Sequence, residues 1–386
     1  MQPPSYESPS HLAPKTPKIV VIGLGGGGSN AINRMIEGGM RGVTFVAANT
    51  DAQALAANLA PNKIQLGPKS TRGLGAGGLP EVGEDAAEES TKELAAILQG
   101  ADMVFLTAGM GGGTGTGSIP IAAKVARASG AVTVAVVTKP FSFELGRRQS
   151  NAVEGIEKLK EYTDTLIVIP NDKLLEIAPR DLPLSTAFTL ADDVLRQGVQ
   201  GISELITETG LINVDFSHIK NVMTRGGGAL MSIGTGSGPN KIQEAIQKAL
   251  HHPLLDDIDL YSATGLIANF TGSENMSFRD VTEALNTLQV ATGGHADVIP
   301  GIITDSRMED RVQLILIVTG IGAPKQTNTN PFETSNEEKQ SFVTPEIKSQ
   351  IEESNNSNEI NLSQHPQIDA KDNLSIPAFL RRRGKK

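Results

Sequence analysis

Five short apolar runs, each followed by a stretch with helical spacing, constrain this chain more than any other feature. They lie at residues 18–23 (KIVVIG), 43–49, 102–108, 131–138 and 165–170. Their unbroken Val and Ile content is that of strands covered on both faces. Strands alternating in this way with helices build a mostly parallel sheet with helices on either side, so an α/β fold is expected.

The longest helical pattern spans residues 184–210, where Ala187, Leu190, Val194, Leu195, Val199, Ile202, Leu205 and Ile206 recur at intervals of three and four. A helix of that length can bridge two domains. Beyond it, runs at 228–234, 265–270 and 312–320 read as strands of a second sheet, with helices near 240–250 and 277–287. From 326 to 373 the texture turns to Asn, Gln, Ser, Glu and Lys without apolar period, too little to offset chain entropy, so a disordered linker is expected. The expected organisation is a tail at 1–17, a nucleotide domain at 18–183, the central helix at 184–210 and a second α/β domain at 211–325. The linker (326–373) and a terminal peptide (374–386, LSIPAFLRRRGKK) follow.

Composition removes several classes of function. A net charge of -9 argues against a non-specific grip on nucleic acid, which needs clustered cations to displace the counterions of phosphate. There is no cysteine, hence no disulfide framework or thiolate metal site. No apolar run reaches the length of a membrane span, and the first 17 residues carry five prolines without an apolar block, so a cytosolic protein is expected.

Two glycine clusters carry the chemistry. The first, Gly25, Gly26, Gly27 and Gly28 followed by Ser29 and Asn30, stands between the first strand and a helix expected from about Ala31. Without Cβ atoms the backbone can approach a phosphate closely, and the free N–H groups of the helix start point toward the anion. Gly23, Gly25 and Gly28 also fit the G-x-G-x-x-G of dinucleotide dehydrogenases, with Asp51 near the place of a ribose-binding acid. The second cluster, GMGGGTGTG at 109–117, separates these readings. A dehydrogenase needs one such loop, and a P-loop needs a Lys followed by Ser or Thr, which this stretch lacks.

GGGTGTG at 111–117 resembles the signature loop of the FtsZ and tubulin families. NTDAQAL at 49–55, GLGAG at 73–77, KPFSFE at 139–144 and IPNDKL at 169–174 agree with FtsZ loops in order and spacing, and the likeness covers roughly 18–322. The resemblance implies a tubulin-like fold: a Rossmann-like GTPase domain and a C-terminal α/β domain joined by the central helix. It also implies a cytoplasmic GTPase at the mid-cell division site that polymerises head to tail with copies of itself, using GTP or GDP with Mg2+. By the same resemblance Gly26, Gly27, Gly28, Ser29 and Asn30, with Gly111, Gly112, Gly113, Thr114, Gly115 and Thr116, hold the phosphates. Glu144 and Arg148 face the ribose, while Asn171, Phe188 and Asp192 take the guanine. The family usually has glycine directly after the glutamate, where this chain has Leu145, expected to shift that loop.

Elementary chemistry agrees at one point. Asp192 stands four residues after Phe188, so on one helix face a ring is available to stack on a base and a carboxylate to accept from the guanine N1 and N2 hydrogens. Asn213, Val214, Asp215 and Phe216 resemble the family's catalytic loop, which acts on the nucleotide of the next subunit in the filament. Read alone, that segment is also a turn in which Asp215 caps the following helix. The family commonly places a second acid three positions on, where this chain has His218, so slow hydrolysis, or a paralogue that forms filaments with little hydrolysis, is the alternative. No carboxylate cage for Mg2+ is visible, which suits an ion held mainly by phosphates and water. Ile376, Pro377, Phe379, Leu380 and Arg381 resemble the family's C-terminal peptide, which docks on membrane tethers and regulators such as FtsA or SepF.

Overall fold

The computed structural model describes residues 16–321, apart from 145, 180, 209, 211–213 and 256–258. The N-terminal tail to residue 15, Leu145, Asn213, the linker and the peptide containing Ile376, Pro377, Phe379, Leu380 and Arg381 therefore lie outside the described residues.

The first half is a parallel sheet. Strands β1 (Ile19–Leu24), β2 (Thr44–Asn49), β3 (Asn62–Gln65), β4 (Met103–Gly109), β5 (Val132–Lys139) and β6 (Thr165–Pro170) stand in the order β3-β2-β1-β4-β5-β6. Every residue of β1 is buried, as the apolar run requires of a strand with helices on both sides. On one face lie α1 (Gly25–Glu37) and α8 (Leu184–Thr207), packed on Val21, Phe105, Val134 and Ile167. The opposite face, with Val20, Leu106 and Val137, is covered by α3 (Pro80–Glu89), α4 (Thr91–Leu98), α5 (Thr114–Ala128) and α6 (Arg147–Lys160). Short α2 (Ala52–Ala57) and α7 (Asn171–Glu176) follow β2 and β6. The strand order reverses between β1 and β4, and in such sheets the carboxyl ends of the strands at that reversal form a ligand crevice.

The second half holds α9 (Phe216–Met223), β7 (Gly228–Ser237), α10 (Lys241–Leu250), β8 (Gly265–Gly272), α11 (Phe278–Ala291), β9 (Asp297–Thr304) and β10 (Arg311–Ile321). Its strands run β7-β10-β8-β9, antiparallel at β7/β10 and β10/β8 and parallel at β8/β9. The expected separate second sheet is instead continuous with the first, through a single parallel pair, Ile167 with Ala229. Helix α8 seals the join by packing against strands of both halves. Gly198 faces Met231 and Val136, and a Cβ on Gly201 would stand 2.7 Å from Ile315 Cγ2, so the helix needs glycine to lie this close. Its fully buried Val199 and Ile202 each contribute roughly 1.5–3 kcal/mol over exposure.

Two helix boundaries differ from expectation. Helix α1 begins at Gly25 rather than Ala31: Gly25 enters it with a left-handed φ of +68, and Gly26, Gly27 and Gly28 continue within the helix. Helix α8 ends at Thr207 rather than 210, with Glu208 already extended at φ -96 and ψ 143.

Candidate functional site

The carboxyl ends of β1, β4, β5 and β6 open into one cleft, and both glycine clusters sit on it. Neither helix start is closed by a side chain: the residues preceding α1 and α5, Leu24 and Gly113, make no side-chain cap bond. The first-turn N–H groups of both helices therefore remain available to an anion. The glycines divide into two kinds. A Cβ on Gly28 would meet Thr107 O at 2.3 Å, so that residue must be small for α1 to rest on β4, and Gly25, at φ +68, touches Gly115. Around Gly26 and Gly112, by contrast, a Cβ would meet nothing within 4 Å, so these backbones border open space. Together the loops form a cradle rather than a flexible turn.

Within the second loop the two threonines differ. Thr116 is buried, and its Oγ1 accepts from Gly111 N at 2.8 Å, closing the loop on itself. Thr114 is half-buried at the start of α5 and shares a hydrogen bond of 2.6 Å with the hydroxyl of Thr50. Ser29 Oγ is buried without a hydrogen-bonding partner, as is Thr107 Oγ1. Orphaned hydroxyls beneath a glycine cradle fit a bound polar ligand, since buried polar groups are otherwise paired.

Beside the cradle lies a polar cavity of about 360 Å³ between α1 and α8, lined by Asn30, Arg34, Phe188, Thr189 and Asp192 among others. Here Asp192 is half-buried, and loss of water pushes its carboxyl up to about 6 although the Arg34 guanidinium opposes the shift. It is not the solvated surface acid that its helix position alone allows. Phe188 is partly exposed at the rim and packs edge-on against Phe141 at 5.4 Å, which in turn stacks on Phe143 at 5.1 Å. Asn171, at the start of α7, is buried with Oδ1 unpartnered. A purine with a donor edge suits this group: an aromatic rim, an ionisable acceptor and an unmet amide acceptor.

Between this cavity and the cradle stand Glu144 and Arg148. Glu144 is nearly buried; its Oε1 accepts from Phe141 N at 3.0 Å and its Oε2 pairs with Arg148. The Arg148 backbone approaches the signature loop, where Gly111 adopts φ +100 and a Cβ would come within 2.7 Å of Arg148 O. Asp51, the candidate ribose-binding acid of the dehydrogenase reading, is used otherwise: its Oδ1 accepts from Gln53 N and Ala54 N and caps α2.

Asp215 and His218 lie elsewhere. Asp215 caps α9 by accepting from Ser217 N at 3.0 Å, and this backbone donor holds its carboxyl below the usual carboxylate range. Both side chains are exposed. At the other end of α9 the carbonyl of Met223 accepts from Thr165 Oγ1, the first residue of β6, whereas Asn171 follows the last. The six residues of β6 span about 20 Å at ~3.3 Å each, so α9 abuts the amino ends of the strands, opposite the cleft. Helix α8 agrees: fifteen residues separate Asp192 from Thr207, or about 22 Å of helix. The structure thus brings Gly26, Gly27, Gly28, Ser29, Asn30, the 111–116 loop, Glu144, Arg148, Asn171, Phe188 and Asp192 to one cleft, and leaves Asp215 and His218 at the far side of the molecule.

Sequence reasoning missed Arg34, Thr189, Thr50 and Thr107. Arg34 carried a signal, since it stands four residues after Asn30 on the same helix face; Thr50 lay within the NTDAQAL loop already matched at 49–55, whereas Thr107 and Thr189 carried none. Among the described residues no group of three or more His, Asp or Glu side chains could hold a metal unaided, and no helix is long and apolar enough to cross a membrane.

Comparison with known proteins gives the family. Residues 18–179 match the model of the Tubulin/FtsZ family GTPase domain, and 227–322 that of the FtsZ family C-terminal domain. An FtsZ dimer from M. jannaschii is 47% identical, with a TM-score of 0.77, and the match covers 80% of this chain and 90% of that one. CetZ2 from Haloferax volcanii, solved as a GTPγS-bound protofilament, is 20% identical with a TM-score of 0.67 over 80% of this chain and 94% of its own, a likeness of fold alone.

Proposed function

The chain belongs to the tubulin/FtsZ family of GTPases, and from that premise we propose that it is a self-polymerising GTPase of cell division whose active site is completed by a second copy. GTP lies in the cleft with its phosphates against Gly26, Gly27, Gly28, Ser29, Asn30 and the 111–116 loop. Its ribose lies toward Glu144 and Arg148, and its guanine lies among Asn171, Phe188 and Asp192. Once the base is bound, the Asp192 carboxylate accepts from N1 and N2 of guanine and repels the N1 acceptor of adenine. Mg2+ entering with the nucleotide would neutralise phosphate charge, without a dedicated cage of side chains among the described residues.

Phosphoryl transfer asks mainly for a positioned water and neutralised phosphate charge. Asp215 suits the first task. Its depressed pKa keeps it ionised at neutral pH, so it orients water by accepting a hydrogen bond rather than by acting as a strong base. What carries the reading is the distance: Asp215 sits at the amino ends of the strands, opposite the cleft, and cannot serve the nucleotide of its own chain. Head-to-tail stacking sets that end of one copy over the cleft of the next, where Asp215 and, by the family resemblance, Asn213 act, and such a heterologous contact propagates as an open filament. The peptide at Ile376, Pro377, Phe379, Leu380 and Arg381 then tethers filaments to membrane-bound partners of the FtsA or SepF kind, forming a ring at mid-cell.

Sedimentation of purified protein with Mg2+ and GTP, GDP or a slowly hydrolysed analogue tests this. Pelleting with GTP and the analogue but not with GDP is expected; nucleotide-independent pelleting contradicts it. His218 favours a second reading, a filament-forming relative with little turnover, and steady-state phosphate release separates the two.

A further inference from the structure

Thr50 is fully buried just after β2 and holds two parts of the cleft at once. Its hydroxyl lies 2.6 Å from that of Thr114 in the signature loop. Its carbonyl accepts from Gly75 N at 3.3 Å, and the neighbouring Ala52 N donates to Gly73 O at 3.1 Å. These clips fasten the 71–78 loop, in which even Arg72 takes a left-handed φ of 52, so the loop keeps its shape by being held from outside. Contacts order the cleft in space. The base cavity adjoins Asn30 on α1; Gly25 at the start of α1 touches Gly115 and Thr114; Thr114 meets Thr50; Thr50 meets Gly75. The 71–78 loop therefore stands at the end of the cleft away from the base, where the last phosphate of a nucleoside triphosphate comes to lie.

We infer that Thr50 is a positioning residue that lets the site distinguish GTP from GDP, a role that presupposes the GTP site proposed above. A threonine hydroxyl has one proton. When Thr114 donates it to a phosphate oxygen, its own oxygen is free to accept, and Thr50 is the donor within reach. The resulting chain, Thr50 to Thr114 to phosphate, is polarised toward the anion and strengthens each bond in it. The same residue fixes the loop against which the terminal phosphate rests, so a change at Thr50 acts on the triphosphate more than on the diphosphate.

The test is the ratio of GTP to GDP affinity, measured by equilibrium binding for the wild-type full chain, Thr50→Val and Thr50→Ser. Valine keeps the shape and removes the donor; serine keeps the donor. Thr50→Val is expected to weaken GTP about tenfold, the upper scale of one neutral hydrogen bond, and GDP less than about twofold. Thr50→Ser is expected to retain the wild-type ratio. Equal weakening of both nucleotides by valine, no weakening, or a lost ratio in the serine variant overturns the proposal. Should valine abolish folding, seen by circular dichroism, Thr50→Ala carries the same comparison with the same deciding outcomes. A wild-type chain that binds neither nucleotide overturns the GTP site itself, a result distinct from any of these.

Discussion

Replacing Asp192 with asparagine sets stability against recognition in a single side chain. Burial raises the carboxyl to about 6 from 3.8, so between those values the folded protein binds more protons than the unfolded chain. Stability of the nucleotide-free protein consequently falls as pH rises through that window; the cost is absent below about 4 and complete above about 6. Two units correspond to about 3 kcal/mol at most, and partial hydration of the cavity lowers this to about 1–3 kcal/mol. Asparagine is uncharged, so nucleotide-free Asp192→Asn should be more stable than wild type by that amount at pH 8 and equal to it near pH 4, measured by urea unfolding. Binding moves the opposite way. An ionised acceptor facing two guanine donors is lost, which should weaken GTP by about a hundredfold or more. Xanthosine triphosphate, which carries a C2 carbonyl in place of the N2 amine, gives asparagine both a donor and an acceptor to match and should bind the variant better than wild type. A variant less stable than wild type at pH 8, or one that keeps full GTP affinity, refutes the reasoning.

Wild-type affinity for GTP should fall about tenfold per unit below pH 6 as Asp192 protonates, and Asp192→Asn should lose that dependence; calorimetric titration from pH 5 to 8 reads both. Asp215→Asn should bind GTP normally while turnover drops about a hundredfold or more, and mixing it with Asp192→Asn should restore phosphate release, because each variant supplies what the other lacks. Phosphate release by His218→Asp should exceed that of wild type several-fold at equal filament mass, whereas a large drop shows that histidine is the better group here.

Much of the architecture could be read before any coordinates, for identifiable reasons. The run at 165–170 is a strand over those same residues, because its apolar content leaves no competing period. Two strands escaped. Asn62–Gln65 is four residues, three of them polar, at one edge of the sheet; Asp297–Thr304 carries Pro300 and Gly301 at the other edge, where proline is tolerated. Phe188 and Asp192 were legible as a pair because four residues on a helix is a distance in space. Arg34 could be read as one turn beyond Asn30 but not as a neighbour of Asp192, since that approach depends on how α1 lies against α8. The seat of Asp215 was equally hidden: a motif names a residue, but only the polarity of β6 says at which end of the strands it lies.

GTP turnover per molecule, followed from dilutions at which ultracentrifugation finds only monomer up to concentrations that assemble, tests most directly whether one copy completes the site of another. The account predicts negligible turnover in the monomeric range and a steep rise once filaments appear. A monomer that hydrolyses GTP at the rate of the assembled protein contradicts it.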